Sequence, residues 1–244
     1  MRQKPIVMLL VAAFSLLFAG APIASAVVHP PDVNAADFPA TPNIDNPFFP
    51  LPVGTKFVYE GTKGGVATHD EMCVTQQTKL IEGVTTTVVH HLSFERPFGA
   101  DVLVEDTFDY FAQDRFGTVW YFGEDTTEFP SGSKEGSWQA GVNDADAGLV
   151  MLANPQVGNR YYQEFSRNVA EDQATVLSRN ESVCVKFGCY DNVLLIKETS
   201  RLDPGVVEYK YYAVNVGFIL GVMAKGGDER TELVSVSSTE KCHE

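Results

Sequence analysis

The sequence predicts an all-β protein: an antiparallel meander forming a barrel or half-barrel, with few or no helices apart from a signal peptide. Three observations carry this. Runs rich in β-branched and aromatic residues recur at strand-length intervals, punctuated by Gly, Pro, Asn and Asp. Residues 101–122 alternate, turn at Arg115-Phe116-Gly117 and return, which is the pattern of a hairpin. No long window holds an apolar stripe of helical period, and the most helix-like stretch, Ala170 to Ser178, is short.

Along the chain, Arg2 and Lys4 precede an apolar run from Ile6 to Gly20, and Ala24-Ser25-Ala26 supplies small residues for cleavage. Residues 1–26 therefore read as a signal peptide, and the expected location is secreted or periplasmic. Residues 27–45 carry Pro30, Pro31, Pro39 and Pro42 and read as an extended, Pro-rich lead-in. Residues 46–244 read as a single β domain. It opens on Asn46 to Gly54, where three prolines forbid a helix and Phe48-Phe49 suggests a plug against the sheet.

Strands are expected at 55–60, 85–90, 101–114 and 118–122. Gly, Ser, Asp and Asn make 132–148 a long surface loop. Further strands follow at 160–165, 173–185, 192–199, 206–212 and 218–223, and 231–237 closes the sheet.

Removal of the signal takes the net charge from −14 to −16. A chain this acidic repels nucleic acid and anionic membrane surfaces. After the signal, no apolar run approaches membrane length, so no integral membrane segment is expected. The four cysteines allow three disulfide pairings in an exported chain. Cys184 and Cys189 bracket a turn containing Gly188, which pairs them and leaves Cys73 with Cys242. A zinc site is the competing reading, but the one C-x4-C spacing lacks a partner knuckle, and no metal or cofactor is assigned.

Several segments resemble a family of exported bacterial proteins of unassigned function: 46–61 (NPFFPLPVGTKFVYEG), 110–126 (YFAQDRFGTVWYFGEDT), 136–142 (GSWQAGV), 154–158 (NPQVG) and 211–217 (YYAVNVG). The resemblance runs from about residue 46 to 220 and implies a bacterial envelope setting. Val214-Asn215 stands where the family has Pro-Gly, so the last turn differs, and the cysteines are an elaboration. It implies no catalytic residues. The strand pattern is also loosely similar to lipoprotein-carrier half-barrels, which bind acyl chains, a likeness of fold alone.

Two candidate sites emerge. Glu105 and Asp109 share a strand face with Thr107 between them, and the hairpin brings Glu124 and Asp125 near one end. Crowded carboxylates kept from water must share a proton or hold a cation. Adjacent His90 and His91 point to opposite faces and cannot share a metal; His90 joins the polar candidate set, with Asp106 or Glu95 as partner for one histidine. No H-E-x-x-H, G-x-S-x-G or calcium-loop register is present. The aromatics Phe57, Tyr59, Tyr110, Trp120, Phe122 and Tyr211 are the expected lining of an apolar pocket. The leading expectation is an exported soluble barrel or half-barrel that binds a hydrophobic or amphipathic small molecule. The alternatives are a carboxylate-based enzyme, with or without a cation, and a structural or interaction domain of the cell envelope.

Overall fold

A computed structural model describes residues 29–239 and Cys242; the signal segment lies outside the described residues. Thirteen strands form one antiparallel sheet: β1 (Thr55–Lys63), β2 (Val66–Ile81), β3 (Val84–Glu95), β4 (Val102–Gln113), β5 (Val119–Glu128), β6 (Trp138–Gln139), β7 (Gly148–Met151), β8 (Arg160–Tyr162), β9 (Asp172–Val185), β10 (Gly188–Ser200), β11 (Val207–Ala213), β12 (Gly217–Lys225) and β13 (Arg230–Ser238). Among the described residues there is no α-helix, and a 3-10 turn at Ala35–Asp37 is capped by Asn34. The stretch from Ala170 to Ser178 is strand through most of its length, because β9 pairs with β10 on one side and β8 on the other.

The sheet runs β6-β5-β4-β3-β2-β1-β13-β12-β11-β10-β9-β8, with β7 also pairing with β5. It is strongly curved but not closed. The first and last strands, β1 and β13, are neighbours in its middle, so its free edges fall in the middle of the chain. Those edges meet at an isolated bridge, where the Asp146 N–H donates to the Phe165 carbonyl at 2.9 Å. Gly148 makes this approach sterically feasible: a Cβ there would lie 1.9 Å from the Gln163 carbonyl oxygen.

Two local features depart from simple alternation. β2 is long and polar, and its register with β3 shifts between Val74 and Thr78. Thr75 turns inward there, its hydroxyl donating to the Val88 carbonyl at 2.7 Å, so the strand shows little period-two pattern. The loop at 132–148 is also more than surface: Trp138, Ala140, Ala145 and Ala147 are buried, and β6 extends the edge beside β5.

The proline-rich lead-in is extended but packed. Phe38 sits edge-on to Trp120 and Phe122 at 5.8 and 5.7 Å, and Ile44 is buried. The segment after it crosses one end of the curved sheet. Asn46 Nδ2 donates to the Gly117 and Leu152 carbonyls at 2.8 and 3.1 Å. The Asn215 N–H on the far wall donates to the Pro47 carbonyl at 2.6 Å, and the Gly54 N–H returns to Val74 of β2 at 2.8 Å. Phe49 spans the walls between Phe111 of β4 and Tyr212 of β11, at 5.4 and 6.4 Å.

Disulfides join Cys73 to Cys242 and Cys184 to Cys189. The second closes the β9–β10 tip, which folds back on the outside. There the Phe187 N–H donates to the Leu233 carbonyl at 3.2 Å, and Lys186 pairs with Glu60 at 2.8 Å.

Candidate functional site

The concave side of the sheet encloses a cavity of about 660 Å³. Alternation decides what it contains. On β4 and β5 the register sets Glu105 against Glu128, Thr107 against Thr126, and Asp109 against Glu124. The Thr107 and Thr126 hydroxyls meet at 2.5 Å, and Thr107 donates to Glu105 at 3.0 Å. The next inward pair is Phe111 and Tyr121, three residues from Glu124 rather than an even number, because the ladder carries a bulge. Gly123 makes that bulge at φ 131°, and a Cβ on it would lie 2.3 Å from the Trp138 carbonyl oxygen. Tyr121 and Glu124 therefore face the same side, and the Tyr121 hydroxyl donates to Asp109.

The opposite wall comes from the second half of the chain. Glu208, Lys210 and Tyr212 share the inner face of β11, and Lys210 pairs with Glu198 of β10 at 2.6 Å and with Glu208 at 3.6 Å. Gln163 Nε2 donates to Glu198 at 2.9 Å, and Glu164 and Asp172 line the cavity beside it. A layered arrangement results. Phe111, Tyr121 and Tyr212 lie with Phe49 at the plugged end. Moving away from the plug, Glu105 lines the cavity on β4, Glu128 on β5, and Lys210 and Glu208 on β11, while Asp109 and Glu124 pair across the β4–β5 ladder without being among the lining residues. The cavity has an aromatic floor and a belt of carboxylates above it.

Crowding sets the protonation of the belt. Burial, then the neighbouring Asp109 and Glu105, pushes Glu124 up to about 8. Burial also raises Asp109, against the pull of His91 and the Tyr121 hydrogen bond. Glu164 is raised well above the carboxylate range by burial, then by Asp172 and Glu124. Asp172 and Glu208 are raised by burial as well. Burial works to lower Lys210, but Glu198 and Glu208 overcome it and hold the ammonium charged.

The structure brings Glu105, Asp109 and Glu124 together. Asp125 faces outward, half-exposed and paired with Lys134 at 2.7 Å. His90 is also on the outer face, stacked on Phe108 at 4.4 Å and hydrogen-bonded to Asp106 at 2.8 Å; its neighbour His91 lines the cavity. Among the expected pocket aromatics, Phe57 and Tyr59 line the cavity. Tyr110, Trp120, Phe122 and Tyr211 do not: Tyr110 lies under Lys79, Trp120 donates to Asp114 at 2.9 Å, and Phe122 packs on Phe38. Their inward neighbours Phe111, Tyr121 and Tyr212 take that role, because the bulge and the strand parity place them there. Gln163, Glu164, Asp172, Glu198, Glu208 and Lys210 were not singled out in the sequence. The one local signal was the period-two placement of Glu208 and Lys210 in an otherwise apolar, aromatic strand. Among the described residues, no three His, Cys, Asp or Glu side chains are arranged to hold a metal ion. No helix among them is long and apolar enough to cross a membrane.

No protein-family model matches the chain, and no curated protein matches it. Among solved structures, it is similar to an exported protein of YmcC-like fold from Bacteroides fragilis, at 12% identity and a TM-score of 0.44, covering 78% of this chain and 98% of the other. It is also similar to a lipoprotein from Parabacteroides distasonis, at 18% identity and a TM-score of 0.42, with the same coverage. Both scores lie below the level at which overall similarity bears on function.

Proposed function

We propose that this is an exported protein that holds one amphipathic small molecule inside its curved sheet. The observation that carries the reading is the layered cavity. Its volume of about 660 Å³ suits one small ligand, and its floor and belt offer an apolar and a polar end to the same molecule. The aromatic floor supplies contact area at low side-chain entropy cost. Export rests on the Arg2/Lys4 start, the apolar run and the Ala24-Ser25-Ala26 site. N-terminal sequencing of protein from its own host is expected to begin within a few residues of Val27, and an intact Met1 would refute that part.

Titration with the apolar fluorophore N-phenyl-1-naphthylamine tests the binding reading. A saturable one-to-one gain in fluorescence is expected, and it is expected to vanish in Ser93→Trp, which places an indole in the cavity. No gain, or an equal gain in the filled variant, overturns the reading. A second reading, a carboxylate-based acid–base enzyme, is favoured by Glu124, which keeps its proton near neutral pH beside Asp109 and Tyr121.

A further inference from the structure

The wall of the cavity is rich in carboxyl and carbonyl oxygens. Two lysines line the cavity: Lys210 is committed to Glu198 and Glu208, and Lys63 pairs with Glu229 at 3.7 Å. Gln163 lines the cavity and is 6% exposed; its Nε2 is committed to Glu198, while its Oε1 has no partner in the protein. An amide oxygen only accepts, and a buried acceptor left unpaired is destabilising. Whatever satisfies it must donate. Glu164 and Asp172 line the same wall and set the charge of the visitor. Once Glu164 or Asp172 has given up its proton, a carboxylate or phosphate head meets it with like charge. A hydroxyl head has one proton to give. An ammonium has three donors and a positive charge.

We propose that the belt takes the cationic nitrogen of an amphipathic organic amine, with Gln163 Oε1, Glu164 and Asp172 receiving its N–H groups and its apolar part resting on the aromatic floor. The proposal rests on the binding reading above and names its ligand class. The protonation of the wall is compatible with it. Glu164 is faced by Asp172 of β9, Glu124 of β5, Asp109 of β4 and Lys210 of β11; Asp172 is faced by Glu198, Lys210 and the Ser200 hydroxyl. Burial first, and then mutual repulsion, favours protons on this group, and an arriving ammonium takes the place of one of them. The exchange is neutral in charge: one cation enters and one proton leaves to solvent.

Isothermal titration with octylamine, octanol and octanoate separates the head group from the chain they share. Octylammonium is expected to bind at least about tenfold more tightly than octanol, with proton release seen as a buffer-dependent heat, and octanoate is expected to bind more weakly than either. Spermidine, charged but without an apolar end, is expected to bind more weakly than octylammonium. In the Glu164→Gln/Asp172→Asn variant the amine preference is expected to collapse while octanol binding stays, which also reports that the cavity is intact. Octanol equal to octylammonium, or a preference that survives in the variant, overturns the amine proposal and leaves the binding reading standing. If none of the three octyl compounds binds, the binding reading itself fails and takes the proposal with it.

Discussion

Replacing Glu124 with Gln tests the electrostatics of the belt directly. Glu124 faces Asp109 across the β4–β5 ladder and titrates at about 8 instead of its ordinary 4.5. A carboxyl whose folded pKa lies above its unfolded value holds its proton more tightly when folded. That contribution is whole below the unfolded value and is lost as pH rises through the folded one. Each pH unit inside the window costs about 1.4 kcal/mol, so by pH 7 the wild type has lost about 3 kcal/mol through this residue. In a domain of this size that is a fall in Tm of roughly 6–12 °C. Gln keeps the neutral form at every pH. The variant is expected to match the wild type near pH 5 and to exceed it near pH 8, with a shallower decline because Glu164 and Asp172 still titrate. Differential scanning fluorimetry from pH 5 to 8.5 at fixed ionic strength measures this. Parallel curves for the two proteins, or a variant less stable than wild type at pH 8, would refute the reasoning.

The two disulfides are expected to differ in worth. Cys73–Cys242 closes a separation of 169 residues and Cys184–Cys189 one of 5, so chain entropy assigns them about 5 and about 2 kcal/mol. Urea titration of the two double-Ala variants checks the order, and equal losses would contradict it. Gly148→Ala is expected to part the two free edges, because its Cβ meets the Gln163 carbonyl oxygen at 1.9 Å. The cost is about 1–3 kcal/mol, and hydrogen exchange at the Asp146 amide, slow in the wild type, is expected to become fast.

Some of this molecule can be read along one strand at a time, and some cannot. Alternation alone places Glu105, Thr107 and Asp109 on one face and His90 and His91 on two, and the prolines of 46–54 mark a segment that can only cross the sheet. Which of two faces is the inner one is a different question. Trp120 and Tyr121 are equally aromatic, and the choice between them depends on Gly123, whose bulge also turns Glu124 inward. β2 hides behind its own bulge at Thr75. The far wall of the site is the least legible part. Glu164 meets Glu124 and Asp109 only because the two sheet edges meet, a contact between segments with no shared motif or period. Gln163 looks like any polar residue after a short strand until its neighbours are known.

The plug gives the molecule a direction. A tube open at both ends lets a guest pass through; here the segment Asn46 to Gly54 stops one end. On the binding reading proposed above, with the aromatic floor deepest and the carboxyls nearer the mouth, an amphipath would go in tail first and come out head first. On that reading its polar end would regain water before its greasy end is uncovered, and the least soluble part of such a cargo would be the last to be let go.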